Sequence, residues 1–411
     1  QFMLFFVLGS GIFLTYSCIL AQTNYWIQFY SDQTLTILSW VYNVAWMIGG
    51  FAVIPLQNVW SSKTFAIIQF STNAFCLIII IPIRMVQNSL WRLILTMIPI
   101  FISSLVQQMY FPVIIACSSK LSNTLALAIQ GGIGVLSVLI ALVEDFITYI
   151  IPHSTEKQEY EQSLIINAWA FYIISDIWLL ICLLAYFYLE KHYPNTIQKT
   201  KKQKEAIQIE KAQSPKQDLL TGDNFENKTK TENIIVYKKL MWFSIAMAFS
   251  SIVGCLVFPV FVIAIPCKYL FETQHVKNNQ WFNLAIMTTF LASDFIGRFL
   301  PLVKWIFQMK HQTLILLCYA RFIFCIIIPM MVFPKVAEDQ HPLLYNDIFT
   351  FFIVAALGLT GEFIGTASFM KYQEKLQTDE EKEIGSYFLN CVNHIGFFVG
   401  SIISLAFIPL L

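Results

Sequence analysis

The chain has 411 residues, of which 57% are hydrophobic, 16% are aromatic and only 12% are charged, with a formal net charge of +1. With a mean hydropathy of +0.64, this composition excludes a soluble globular protein and indicates an all-α protein that crosses a membrane many times. The basic residues form no surface patch of the kind that binds nucleic acid, so we expect lipid contacts and no nucleic-acid partner.

Apolar runs long enough to cross a bilayer as helices recur along the whole chain. They predict eleven transmembrane helices, at about 2–27, 34–57, 63–84, 91–117, 122–149, 163–190, 238–267, 281–303, 312–333, 346–371 and 385–409. Six runs precede a polar segment and five follow it. We therefore expect an N-terminal six-helix bundle at 1–190, a loop at 191–237 and a C-terminal five-helix bundle at 238–411.

The loop at 191–237 is rich in lysine, glutamine and asparagine, and it contains Pro194 and Pro215. Such a composition cannot bury a core, so we expect it to be largely disordered, with a helical stretch around Gln203–Ala212. Lysines are also concentrated in the other loops on the same side of the membrane as this loop. Because positively charged loops favour the cytosolic side, we expect the N-terminus and the central loop to be in the cytosol. After eleven crossings the C-terminus lies on the opposite side. The sequence does not identify the membrane.

The first run opens the chain at Gln1 rather than at Met, so we expect a short native N-terminus to be missing. No small-residue cleavage site follows its apolar stretch, so we interpret it as a spanning helix and not as a signal peptide. Its polar residues include Tyr16 and Ser17, a stripe suited to lining a cavity. Gln130, in the fifth run, offers both a donor and an acceptor near mid-membrane, where ligand contact and inter-helix bonding are equally plausible.

An acid and a base stand four residues apart in the eighth run, as Asp294 and Arg298. That spacing puts them on one helical face in the favourable acid-before-base order. An ionised side chain at the centre of a spanning helix costs about 3 kcal/mol, so the pair is expected to face a protein interior or a watery cavity. The alternative is a structural pair with Arg298 extending to the membrane surface.

Two further charged residues fall at a similar depth in the next two runs, Arg321 in the ninth and Glu362 in the tenth. We hypothesise that these two residues, with Asp294 and Arg298, form a charge-balanced network that closes one side of a pathway. A static set of inter-helix bridges is the other interpretation.

The remaining chemistry-bearing residues suggest no reaction centre. Nine cysteines show no CxxC pair, and six histidines show no HExxH spacing, so we expect no metal, disulfide framework or cofactor. One of them, His394, fits a hydrogen-bonded core histidine better than a proton site. Without a GxxxxGK[ST] phosphate loop, an ATP-driven pump is also disfavoured. We therefore do not expect an enzyme.

Five motifs, taken together with their order and spacing along the chain, resemble the equilibrative nucleoside transporter family. One of them is Asp294-Phe295-Ile296-Gly297-Arg298 of the eighth run. The others are Leu8-Gly9-Ser10-Gly11, Gln130-Gly131-Gly132-Ile133-Gly134, Phe258-Pro259 and Ala320-Arg321-Phe322. The six-plus-five layout is also similar to that family.

This resemblance implies a major-facilitator-like fold, with the 6+5 bundles around a central cavity and the ligand near the midplane. It implies facilitative, equilibrative transport of nucleosides, and of nucleobases as a second substrate class, by alternating access. Asp294 and Arg298 would bind the ribose hydroxyls by charge-assisted hydrogen bonds. Gln130 would read the edge of the base, while Tyr16 and Ser17 would contact the ligand.

The chain departs from the family pattern at two places. Thr15-Tyr16-Ser17 stands where Pro-Trp-Asn is common, and Thr360-Gly361-Glu362 stands where Asn-Gly-Tyr is usual. Two alternatives therefore remain open. One is a proton-linked carrier of another small solute through Glu362 or Asp294. The other is a transporter-like membrane subunit that no longer transports and acts as a scaffold.

Overall fold

The computed structural model describes residues 1–31, 34–57, 59–119, 121–150, 157–193, 222–270, 280–335 and 341–407. The regular secondary structure of this part of the chain is helical. In the first part of the chain the α-helices are α1 (Phe2–Ile12), α2 (Leu14–Ala21), α3 (Thr23–Phe29), α4 (Thr34–Leu56), α5 (Ser62–Ile83), α6 (Ser89–Ser119), α7 (Asn123–Ile150) and α8 (Lys157–His192). In the second part they are α9 (Gly222–Val257), α10 (Val260–Ile263), α11 (Gln280–Phe299), α12 (Lys304–Phe307), α13 (His311–Ala320), α14 (Phe324–Val332), α15 (Asp347–Lys371) and α16 (Asp379–Leu405).

Within the described ranges, ten helices or continuous helical stretches are long and apolar enough to span a membrane. The bent pair α1 and α2, with 48° between the two helices, adds an eleventh if it forms one span. The bend lies at Phe13, where the predicted first helix is interrupted. The predicted fold class, an all-α protein with many transmembrane helices, is confirmed.

The structure differs from the expected loop boundaries at the start of the second half. α9 begins at Gly222, so residues 222–237, expected to be largely disordered, are helical. The sequence there supports a helix, since Glu226 and Lys230 have the favourable acid-to-base spacing of four residues. Residues 194–221, which include the expected helical stretch Gln203–Ala212, lie outside the described residues.

Two predicted spans contain breaks. α9 ends at Val257, just before Phe258-Pro259, because a proline has no N–H to continue the helical hydrogen bonds. The ninth span tightens into a 3-10 turn at Arg321–Ile323, between α13 and α14. Both breaks lie beside the cavity described below.

Helices α1–α8 and α9–α16 form two halves, in which small residues allow close helix packing. α1 packs against α7, where a side chain at Gly9 or Gly132 would overlap the backbone of Ile129 or Phe6. Between the halves, α7 packs along α11 and α4 packs along α16. These two contacts bring side chains from both halves to one central space.

The apolar cores show where the halves are joined. We call the side of the bundle where α8 ends the central-segment side, and the other the far side. On the central-segment side, buried residues of both halves, such as Ile114 and Phe363, belong to one continuous cluster. On the far side, the C-terminal half has its own cluster, which includes Val257 and Leu357. The halves therefore share an apolar core on one side only.

Candidate functional site: a central cavity between the two halves

A cavity of about 240 Å³ lies between the halves, lined by α2, α4, α6 and α7 on one side and by α9, α11, α15 and α16 on the other. The two walls differ in chemistry. The Asp, Glu and Arg side chains of the described lining, Asp294, Arg298, Arg321 and Glu362, all come from the C-terminal half. Aromatic side chains dominate the N-terminal wall.

Arg298 is bonded to three partners from three helices. Its Nε donates to Asp294 Oδ2 at 3.0 Å on the same helix, α11. Its Nη1 donates to Gln130 Oε1 of α7 at 2.6 Å, and its Nη2 lies 3.0 Å from Glu362 Oε2 of α15. We call these four residues the Arg298 cluster. Because Gln130 belongs to the N-terminal half, the cluster ties the two halves together.

Local sequence explains why Arg298 reaches Gln130. Residues four apart share a helical face, so Asp294 directs the guanidinium toward α7. On α7, Gly134 leaves room for the Arg298 side chain, since a Cβ there would lie 2.7 Å from Arg298 Cδ. Arg298 and Asp294 are each 7% exposed, so their charges are shielded from water and compensated mainly by each other and by Glu362.

Arg321 lines the same cavity but has different partners. Its Nη1 donates to the carbonyl and hydroxyl oxygens of Ser250 at 2.9 and 2.5 Å, and its Nη2 donates to the Leu357 carbonyl at 3.2 Å. All these oxygens are neutral, and all belong to the C-terminal half. Of the four charged residues expected to form one network, the structure therefore bonds Asp294, Arg298 and Glu362 directly and holds Arg321 by neutral oxygens.

The aromatic wall is built from α2 and α4. Tyr16 stacks on Tyr42 with ring centroids 4.1 Å apart, and the Tyr42 hydroxyl donates to Gln107. Trp46 extends across to the C-terminal half, where its ring centroid lies 4.4 Å from that of His394. The wall thus presents flat rings opposite the charged side chains of α11 and α15.

Ser17 also lines the cavity, with its hydroxyl 3.0 Å from that of Ser137 on α7. Besides the Gln130–Arg298 bond, a second polar contact joins the two halves near the aromatic wall. There, Asn43 Nδ2 donates to Ser401 Oγ of α16 at 2.6 Å. The cavity is thus bordered by hydrogen bonds that would have to break for the halves to separate.

The cavity contains residues that the sequence analysis did not select, chiefly Asn43 and Trp46 on α4. The sequence did contain a signal for these two residues. Ser39, Asn43 and Trp46 recur every three or four residues and mark one face of an otherwise apolar helix. His394, expected to be a hydrogen-bonded core histidine, is buried and bonded through Nε2 to Asn390 Oδ1 at 2.9 Å. Its ring also borders the cavity. In the part of the chain that the structure describes, no group of His, Cys, Asp or Glu is placed to hold a metal ion.

The sequence model of the family described as nucleoside transporter matches residues 96–408, which is most of the chain. The chain belongs to the nucleoside transporter family. The family recognised from the motifs is therefore confirmed, and the protein is a membrane transporter and not an enzyme. A search of curated proteins found no match to the chain.

Solved structures with a similar fold are transporters too. FucP, a major facilitator superfamily transporter in the outward conformation, has a TM-score of 0.56 at 14% identity, with 98% of this chain and 91% of that chain covered. A variant of the E. coli fucose:proton symporter FucP has a TM-score of 0.55 at 13% identity, covering 100% and 91%. A bacterial homologue of the human drug peptide transporters PepT1 and PepT2 has 0.50 at 11% identity, covering 100% and 98%. These similarities show a major facilitator fold.

Proposed function

We propose that this transporter carries nucleosides, and nucleobases as a second class, across its membrane by facilitated diffusion, with the central cavity as the substrate site. The observation that supports this most directly is the Arg298 cluster, in which groups from both halves meet at the cavity wall. Carboxylates and a guanidinium suit a ligand rich in hydroxyl groups, because charge-assisted hydrogen bonds are about twice as strong as neutral ones.

The opposing walls fit the two ends of a nucleoside. Asp294 and Arg298 would bind the ribose hydroxyls, Gln130 would read an edge of the base, and Tyr16 would contact its flat face. Ser17 would add a short polar contact beside Tyr16. A volume of about 240 Å³ lies just below the roughly 300–1,000 Å³ typical of small-molecule sites, which favours a small ligand such as a nucleoside.

The packing of the halves supports alternating access. We propose 1–190 and 238–411 as the two moving units, with the pathway closed on the central-segment side by the shared apolar core and by the Arg298 cluster. Breaking the Gln130–Arg298 and Asn43–Ser401 bonds would let the halves rock about the cavity. The lysine distribution supports a cytosolic central segment and N-terminus.

Uptake into vesicles containing the purified protein tests this proposal. Labelled uridine, adenosine and hypoxanthine should enter faster than fucose and reach the external concentration without exceeding it. Asp294→Asn keeps the shape of the side chain but removes its charge, so it should lower nucleoside uptake about tenfold or more. Asp176→Asn on α8, outside the cavity lining, is the matched control and should behave as wild type.

Other results would support the alternatives. Uptake of a different solute, accumulated under an imposed pH gradient, would indicate a proton-linked carrier. No uptake of any solute by a folded protein that purifies in a stable complex would indicate a scaffold subunit.

A further inference from the structure

A second buried acidic group lies on α7, near the far side and away from the Arg298 cluster. Glu144 is 2% exposed, and its carboxyl group accepts hydrogen bonds from Gln22 Nε2, just after α2, at 2.6 Å and from Asn167 Nδ2 of α8 at 3.5 Å. The next residue, Asp145, accepts a bond from the Thr288 hydroxyl of α11 at 2.7 Å. Because α11 belongs to the C-terminal half, this acidic pair lies at the junction between the halves.

Among the residues that the structure describes, the pair has no positively charged partner. The ion pairs among the described residues include neither Glu144 nor Asp145. The other titratable groups close enough to act on Glu144 are the thiol of Cys18 on α2 and the phenol of Tyr172 on α8, with Asp176 next to Cys18. A carboxylate as deeply buried as Glu144, with no cation beside it, is costly to ionise, which favours the protonated form.

Burial makes Glu144 the member that holds the proton, because Glu144 is 2% exposed whereas Asp145 is only partly buried. Asn167 is 3% exposed, and its Oδ1 has no hydrogen-bond partner. Its Nδ2 lies 3.5 Å from Glu144 Oε1, longer than the roughly 2.7–3.2 Å of an ordinary N–H···O bond. With a proton on Oε1 and the amide turned over, Oδ1 would accept that proton. Asp145 accepts a bond from a hydroxyl donor and is only partly buried, so water can reach it, which suits an ionised carboxylate.

A small hollow of about 10 Å³ borders both acids and Thr288. Its volume is about that of one water molecule, so it has room for a single water beside the two acids. The apolar side chains of Leu20, Phe258 and Leu291 line both this hollow and the central cavity. These apolar side chains lie between the two spaces, and the acids lie near the far-side end of α7, so we place the exchange of protons on the far side and not with the substrate.

We propose that Glu144 is a proton-binding site that controls the junction of the two halves, so that transport depends on pH on the far side. With the proton bound, Asp145 alone carries the charge and holds Thr288. Loss of the proton places a second negative charge next to Asp145 and changes the hydrogen bond between Gln22 and Glu144. Gln22 directly follows α2, the helix that carries Tyr16 and Ser17, so the change reaches the substrate wall. The inference rests on the proposed function only where nucleoside uptake is the readout.

Infrared spectroscopy of the purified protein at neutral pH tests the proton directly. A protonated carboxyl group gives a C=O stretch distinct from that of a carboxylate, and Glu144→Gln should remove part of this band. The comparison uses Glu144→Gln protein that elutes from a sizing column as wild type does. An unchanged band would show that Glu144 is ionised and would overturn the proposal.

The second test is uridine uptake while the pH on the far side is varied from about 5.5 to 8.5, a range that covers documented buried glutamates. Wild-type uptake should fall about fivefold or more as the pH rises, within the usual range of coupling between sites. Glu144→Gln resembles the protonated acid and should keep the wild-type low-pH rate throughout. Glu190→Gln, at the opposite end of α8 where Glu190 pairs with Lys63, is the control and should follow wild type.

A flat wild-type profile would overturn the proposal, as would a Glu144→Gln profile that follows wild type. An intact infrared band that is lost in Glu144→Gln, combined with no nucleoside uptake at any pH, would refute the proposed substrate while leaving the proton site in place.

Discussion

The two buried arginines of the cavity wall are equally hidden from water, at 7% exposure each, but they are held in opposite ways. Arg298 is bonded to two carboxylates and to Gln130 of the other half. Arg321 is bonded to neutral oxygens of its own half. Bonds across the junction must change when the halves rock, whereas bonds within one half need not. The same residue type therefore serves two purposes. We expect Arg298 to control transport and Arg321 to stabilise the C-terminal half.

The largest effect should come from Arg298→Ala. Removing the guanidinium leaves Asp294 buried without its cation, and breaking a buried ion pair typically costs about 3–5 kcal/mol. Vesicle uptake should fall roughly 100-fold or more. Arg298→Lys should rescue little of it, since one ammonium group cannot reproduce a planar fork with three partners. Wild-type rates in Arg298→Ala would remove Arg298 from the transport pathway.

Glu362→Gln should have a smaller effect, because it removes one partner and leaves Arg298 bonded to Asp294 and Gln130. The Glu362 side chain is 30% exposed, so water partly compensates for the lost charge. We expect about a 3- to 10-fold loss of uptake, measured as initial rates of uridine entry. A loss as large as that of Arg298→Ala would mean that Glu362, and not Gln130, is the essential partner.

Arg321→Gln separates stability from transport. It removes hydrogen bonds from a charged donor, and each such bond is worth about 1.5–3 kcal/mol. The free energy of unfolding should therefore fall by about 1.5–3 kcal/mol for each bond that is not replaced. The KM for uridine should stay within about twofold of wild type, because none of the lost bonds crosses between the halves. Denaturant unfolding and uptake kinetics measure the two quantities, and a raised KM with unchanged stability would contradict this assignment.

The smallest effects should come from a matched pair of glycines, one near each arginine. A Cβ at Gly134 would lie 2.7 Å from Arg298 Cδ, while one at Gly254 would have only Arg321 Nη2 nearby, at 3.9 Å. Gly134→Ala should therefore displace Arg298 and lower uptake about two- to fivefold, within the usual cost of overpacking. Gly254→Ala should leave uptake unchanged. Equal losses of uptake in both variants would show that displacing Arg298 has no effect of its own on transport.

The membrane-spanning helices could be predicted closely from the sequence, because hydropathy over about 20 residues reflects the thickness of the bilayer. The prediction was wrong at 222–237, where charged residues favour a helix that continues beyond the apolar run. It also did not anticipate the break at Arg321–Ile323, since a tightened turn inside an apolar span leaves no signal in hydropathy.

The sequence alone determined the class of protein and the family, and it predicted the depth of each charged residue, because depth follows from position along a helix of known rise. Only the tertiary structure decided which partners meet. Asp294, Arg298 and Glu362 come together because α11 faces both α7 and α15, whereas Arg321 faces α9 and the backbone of α15. The Glu144 site likewise depends on α2, α8 and α11 converging on one turn of α7. Helix neighbours are set by packing across the whole bundle, and residue spacing within one helix does not reveal them.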